Sequence, residues 1–217
     1  MIFINFKTYE KGTGKRVLDL VKIIENVAKE ENANIAICVE APSIYRISKE
    51  TTLPIYAQHV DPINFGSNTG RILAESIKES GAEGTLLNHS ERKMDFFDLK
   101  RTVERCKQAG LKTILCVRDI EEAKKTLYMS PNFIAFEDQN LIGSGVSIST
   151  KMPEKIREFS EFVVKNNSDT MPLCGAGISK SKDVRLAMEM GVRGVLVASA
   201  IVSSENPEKV LREMVKA

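Results

Sequence analysis

The sequence predicts an α/β fold, a single (β/α)8 barrel spanning 1–217, on three observations. Eight short apolar runs rich in Ile, Val, Leu and Phe alternate with amphipathic stretches along the whole chain. The runs are continuous rather than alternating in polarity, which suits a parallel sheet with neither face left to water. No run is followed by the GxGxxG or GxxxxGKS/T turn of an open nucleotide-binding sheet, and no Pro-, Gly- or Ser-rich stretch marks a linker. Eight beats at about 27 residues each are lean for such a barrel, whose typical length is ~250 residues.

The elements follow in order. Strand 2–6 (IFINF) is followed by helix 15–30, where Val17, Leu20, Val21, Ile24, Val27 and Ala28 recur at three- and four-residue steps and form one buried stripe. Strand 34–39 (NIAICV) precedes a short helical pattern at 43–49. Strand 54–58 (PIYAQ) leads to helix 70–80, and Gly81 fits a helix C-terminus ahead of strand 84–87 (GTLL). Helix 96–109 ends at Gly110 before strand 112–117 (KTILCV), and 119–127 carries a second short helical pattern. Strand 132–136 (NFIAF) runs into the glycine-bearing loop DQNLIGSGVSIS, then helix 153–166. Strand 171–174 (MPLC), helix 181–190 with Gly191, strand 194–198 (GVLVA) and helix 206–216 complete the chain.

Composition narrows the function. With 42% hydrophobic and 28% charged residues the chain is ordinary for a globular protein, and at this size roughly 70% of its extended surface is expected to be buried. A net charge of +2, from 31 basic and 29 acidic residues interspersed, gives no electrostatic case for nucleic acid or an anionic membrane. No apolar stretch approaches the ~20 residues of a membrane span, and Met1 runs straight into a strand-like segment with no charged region or cleavage site, so secretion is not expected. Cys38, Cys106, Cys116 and Cys174 show no CxxC spacing, and three of them sit in apolar runs as small buried hydrophobes. A reducing, cytoplasmic location is expected.

Residues at the C-terminal ends of barrel strands converge on one rim, where catalysis is built. Three polar side chains directly follow apolar runs: Lys7 after IFINF, His89 after TLLN and Glu137 after FIAF. A cation, an imidazole and a carboxylate on one rim make an electrophile-and-base set suited to moving protons next to a carbonyl. Asn5 lies two residues before Lys7 and so points to the same side. His89 opens a helix-like turn, Ser90-Glu91-Arg92, whose amides disfavour imidazolium and keep the ring neutral and able to donate. His59 also follows a strand, but its surroundings lack a matching pattern and it is read as structural. Gly175-Ala176-Gly177 after strand seven and Ala198-Ser199 after strand eight fit phosphate-holding loops, and Ile142-Gly143 adds amides from above.

Taken together these residues resemble the triosephosphate isomerase family, from end to end. The family's Asn-x-Lys is matched by Asn5-Phe6-Lys7, its His-Ser-Glu-Arg by His89-Ser90-Glu91-Arg92, and its catalytic Glu with a closing lid by Glu137 and Ile142-Gly143-Ser144-Gly145. NFKTYEKGTG and AQHVDP look like the compact archaeal branch, which is often tetrameric. The resemblance implies a TIM barrel interconverting dihydroxyacetone phosphate and glyceraldehyde 3-phosphate in glycolysis and gluconeogenesis, with no metal or organic cofactor. It implies Glu137 as the base, His89 polarising the carbonyl, Lys7 holding the substrate and its developing charge, Asn5 orienting, and Glu91 as a supporting buried carboxylate. Ile142, Gly143, Gly177, Ala198 and Ser199 would bind substrate. A homo-oligomer follows, a tetramer favoured over a dimer, with subunit contacts expected around 9–14 and 59–66.

The chain departs from the family in places. Asp138-Gln139 stand where a proline usually stiffens the lid hinge, which predicts a more mobile hinge and a second negative charge beside the base. The segment 65–70 keeps only a Gly-x-x-Thr-Gly skeleton, and Lys93 replaces a usual arginine. Two other readings compete: a phosphate-binding barrel isomerase or lyase acting on ribose-phosphate derivatives, and a catalytically silent barrel serving assembly. The first shares the loops after strands seven and eight but has no need of all three rim groups; the second would have lost one of them.

Overall fold

The computed structural model describes residues 1–141 and 146–217. The chain alternates as β1 (Ile2–Asn5), α1 (Val17–Glu30), β2 (Ile35–Val39), α2 (Ala41–Ser48), β3 (Ile55–Ala57), α3 (Ala74–Glu79) and β4 (Gly84–Leu87). It continues through α4 (Phe96–Gln108), β5 (Lys112–Val117), α5 (Ile120–Thr126), β6 (Phe133–Phe136), α6 (Ile148–Lys151) and α7 (Pro153–Asn166). β7 (Met171–Cys174), α8 (Ser181–Glu189), β8 (Gly194–Val197), α9 (Ser199–Val202) and α10 (Pro207–Val215) follow. The eight strands pair in chain order, all parallel, and β8 closes on β1. The predicted barrel is therefore the observed one.

The period of two along each strand divides the core in two. Phe3, Cys38, Leu86, Cys116, Ala135 and Leu173 point into the barrel and pack among themselves. Ile2, Ile4, Ile37, Leu87 and Leu115 point outward and meet the helices. Inside, the Phe3 ring stands edge-on to Tyr56 and Phe133, with centroids 5.3 and 5.0 Å away. Outside, the α1 stripe is buried as its spacing requires, each Val, Leu or Ile contributing roughly 1.5–3 kcal/mol. The register has a consequence at the rim. Residues two past an inward residue also face inward, which delivers Asn5 above Phe3 and Glu137 above Ala135.

The helix ends obey local rules. Gly81, Gly110 and Gly191 all take positive φ, as their positions predict. At α4, Gly110 N–H bonds to the Lys107 carbonyl and Leu111 N–H to the Cys106 carbonyl, closing the last turn. Asp95 caps α4 by accepting from the Phe97 and Asp98 amides, and Asp119 caps α5 through the Glu122 amide. The two short patterns at 43–49 and 119–127 are real helices, α2 and α5.

Some boundaries differ from the sequence reading. The helix expected over 70–80 begins only at Ala74, because Asp61 takes the preceding backbone. Its Oδ2 accepts from Ile72 N–H at 2.7 Å and its own N–H bonds to the Ile72 carbonyl at 2.9 Å, holding 71–73 against the loop after β3. Strands 2–6 and 54–58 shorten to Ile2–Asn5 and Ile55–Ala57, and helices α6 and α9, four residues each, were not foreseen. Far from the rim, Arg212 of α10 reaches Glu30 and Glu31 at the end of α1, at 2.5 and 3.0 Å, tying the last helix to the first. Among the described residues no helix is long and apolar enough to cross a membrane.

Candidate active site

At the C-terminal rim a cavity of about 250 Å3 is lined by Asn5, Lys7, His89 and Glu137 together with Gly177, Ala198 and Ser199. The structure thus brings the three ionisable candidates and both glycine and small-residue loops to one place. Ile142 and Gly143 lie outside the described residues.

Glu137 enters on β6, its amide bonded to the Val117 carbonyl at 2.9 Å. It is 5% exposed, and its Oε2 has no hydrogen-bond partner among the described residues. A buried carboxylate oxygen left without a donor is costly in a resting protein and marks an atom kept for a ligand. A Cβ at position 175 would lie 2.7 Å from Glu137 Oε1, so Gly175 leaves the carboxyl its place. Three neutral thiols surround it. Burial, with the Glu137 charge second, holds Cys38, Cys116 and Cys174 well above the ordinary thiol range. All four cysteines are buried, three of them as their apolar runs predict, and none of the thiols of Cys38, Cys116 and Cys174 is primed as a nucleophile.

His89 stands at the head of a three-residue turn, 7% exposed. Its Nδ1 accepts the Glu91 N–H at 3.2 Å, so in the neutral ring the proton sits on Nε2. That nitrogen lies 3.7 Å from Glu137 Oε2 and faces the cavity. The donor expected from sequence is thus aimed at the space where a carbonyl oxygen would sit.

Lys7 has φ +46°, the left-handed region that a lysine rarely adopts. Two neighbours hold it there. Asn5 Oδ1 accepts Lys7 N–H at 3.0 Å, and Gln58 Nε2 donates to the Lys7 carbonyl at 3.0 Å and to Asn5 Oδ1 at 3.3 Å. Asn5 therefore orients Lys7 through the backbone. The Lys7 ammonium contacts Glu91 Oε1 at 2.5 Å. Glu91 differs from expectation: its side chain is 55% exposed rather than buried. The 90–92 turn sits on the rim surface, so its carboxylate faces outward while its amide serves His89. It lines a neighbouring cavity of about 290 Å3 with Gln58, His59 and Arg92.

Also lining the cavity, Ala176 and Gly177 both have φ +72°. A Cβ on Gly177 would fall on the Val146 carbonyl oxygen, so only glycine admits this close approach of the 146–147 backbone. The first-turn amides of α9, which a helix leaves without internal acceptors, begin at Ser199 in the same lining. Just after β6, Asp138 Oδ1 accepts from Asn140 N and Nδ2 at 2.9 and 3.1 Å, and Leu141 N–H bonds to the Asp138 carbonyl. The residues replacing the expected proline therefore form a hydrogen-bonded turn that occupies the Asp138 charge.

His59, read from the sequence as structural, is buried, 3.3 Å from Asp61 Oδ1, and burial together with Arg92 pushes its pKa down. Sequence reasoning missed Gln58 and Tyr9, which support or line the site. Gln58 obeys the same strand-end rule as the three ionisable residues, and a rule that ranked by charge passed over it.

The comparisons agree with this geometry. The sequence model of the triosephosphate isomerase family matches residues 1–217. The chain is 42% identical to the triosephosphate isomerase of Methanocaldococcus jannaschii, over 100% of this chain and 99% of that one. It is 40% identical to the Archaeoglobus fulgidus enzyme, over 99% of this chain and 96% of that one. In fold it is similar to the crystal structure of triosephosphate isomerase from Bartonella henselae, with TM-score 0.71, 21% identity and 91% of each chain covered. Matched over its full length by the family model and by archaeal relatives at this identity, the chain belongs to the triosephosphate isomerase family.

Proposed function

We propose that this chain, one barrel domain over 1–217, interconverts dihydroxyacetone phosphate and glyceraldehyde 3-phosphate through an enediolate. Glu137 takes a carbon-bound proton and returns it to the neighbouring carbon. His89 donates from Nε2 to the substrate oxygens, and Lys7 balances the phosphate and the charge that develops. Asn5 fixes Lys7, Glu91 holds the His89 tautomer through its amide, and Ile142, Gly143, Gly177, Ala198 and Ser199 bind the phosphate end. A glutamate base with a neutral histidine is the scheme established for this family. One observation in this chain carries the reading: Glu137 Oε2, without a hydrogen-bond partner among the described residues, lies 3.7 Å from a His89 nitrogen whose ring partner is already satisfied. The scheme needs no cofactor, since fixed dipoles and charges stabilise the enediolate.

The test is a coupled assay of the purified protein with glyceraldehyde 3-phosphate. Turnover is expected. Its absence in folded protein would overturn the reading and direct the assay to ribose-phosphate derivatives.

A cytoplasmic homo-oligomer, tetrameric rather than dimeric, belongs to the same proposal. Four unpaired cysteines suit a reducing compartment. Two separate apolar features suit two kinds of contact: Phe65, 73% exposed within 59–66, and the cluster of Phe96, Phe97 and Tyr128, 41%, 76% and 58% exposed. Light scattering is expected to give a tetramer mass, and Phe97→Asp to reduce it to a dimer. A Phe97→Asp protein of unaltered mass would remove that cluster from the interface.

A further inference from the structure

His89 faces the cavity against the alternation of its own strand. Leu86 points into the barrel and Leu87 out, so residue 88 should point in and residue 89 out. The reversal occurs at Asn88, whose φ is +59°. The left-handed turn sends its side chain away from the barrel axis and delivers the imidazole in its place. Asparagine is the non-glycine residue that tolerates this backbone best, but a glycine would serve the backbone as well. The amide does more than turn the chain.

Asn88 is 1% exposed, and both amide hydrogens and the carbonyl oxygen of its side chain are hydrogen-bonded. Nδ2 donates to the Cys116 carbonyl at the end of β5 and to Glu122 Oε1 on α5, each at 2.9 Å, and Oδ1 accepts Met94 N–H at 3.1 Å. The last bond closes the loop 88–94, which contains both His89 and the Glu91 amide that sets its tautomer. Glu122 grips the same loop a second time, through Lys93 Nζ at 3.0 Å to both its oxygens, and is itself fixed by the Arg118 amide at 2.7 Å. One carboxylate on α5 therefore pins both ends of the turn that carries the electrophile.

We infer that Asn88 is a positioning residue for the isomerisation, aiming His89 through the closed 88–94 loop, with Glu122 as its anchor. The inference rests on the role proposed for His89. A ring displaced by a fraction of an ångström keeps its substrate but misses the developing oxyanion, so the loss should fall on kcat and spare binding.

Asn88→Gly tests it, because glycine keeps the left-handed backbone without strain and deletes only the amide. The variant should stay folded and lose about ten- to hundredfold in kcat, the scale of a small misplacement. KM and inhibition by inorganic phosphate should be unchanged. Glu122→Ala should move kcat in the same direction. The chain has only two histidines, so 15N-labelled imidazoles report the cause: His89 Nδ1 should shift as its bond to Glu91 N–H loosens, and His59 should not. Wild-type kcat in Asn88→Gly would overturn the inference, as would equal losses of kcat and phosphate affinity with both histidines shifted. His89→Gln, run alongside, separates the two claims. If it retains turnover, the role of His89 fails; if it loses turnover while Asn88→Gly does not, only the positioning role fails.

Discussion

Glu137→Gln is expected to lower kcat by roughly a hundred- to ten-thousand-fold, the usual worth of a positioned general base, while leaving KM and phosphate inhibition nearly unchanged. Glutamine has the shape of the native side chain and still fits beside Gly175, where any larger residue at 175 would crowd the carboxyl. What it loses is the ability to take a proton at Oε2, which has no hydrogen-bond partner among the described residues. The substitution leaves the Gly177 and Ala198-Ser199 residues of the cavity untouched, so the phosphate end should bind as before. Glu137→Asp draws the same chemistry back by one methylene, about 1.5 Å, and should also lose much of the rate with binding retained. The coupled assay with both variants, alongside circular dichroism to show that the barrel survives, gives the answer. An aspartate variant running at wild-type speed would show that another group is the base.

Two of the residues legible in the sequence are placed by strand periodicity alone. Glu137 points inward because Phe133 and Ala135 do, and Asn5 because Phe3 does. Lys7 and His89 were found by the same strand-end rule, yet both reach the cavity through left-handed backbone at Lys7 or just before His89, which no spacing reveals. Gln58 and Asn88 were passed over because a neutral amide looks like turn chemistry until its partners are known, and all but Met94 of those partners are 20 to 53 residues away. The exposure of Glu91 depends on how a three-residue turn sits on the rim. Helix α9 is a single turn, too short to show a period. Residues 71–73 have helical composition but are captured by Asp61, a tertiary bond that overrides propensity. The eight beats survived all of this because each strand and helix carries its own apolar pattern, whereas the turns obtain their shape from distant groups.

Lys7→Ala is expected to reduce kcat/KM by about a hundred- to a thousand-fold, the scale of losing one preorganised charge in a site shielded from water, and to weaken inhibition by inorganic phosphate. Lys7 is the one lysine or arginine among the described residues lining the cavity, and its side chain is only 14% exposed, so water screens it little. Unchanged phosphate inhibition would remove Lys7 from the site. The backbone supplies a second, independent reading. A left-handed conformation costs an L-residue about 1–2 kcal/mol, and here Asn5 and Gln58 hold Lys7 in it through both its N–H and its carbonyl. Glycine escapes that cost but brings extra freedom to the unfolded chain. Lys7→Gly should therefore match Lys7→Ala in lost activity while exceeding it in stability by up to about 1 kcal/mol, read from paired urea unfolding curves. A glycine variant less stable than the alanine one would mean that the φ at position 7 stores no strain. The expected order would show that this fold accepts a strained residue in order to aim one ammonium at the cavity.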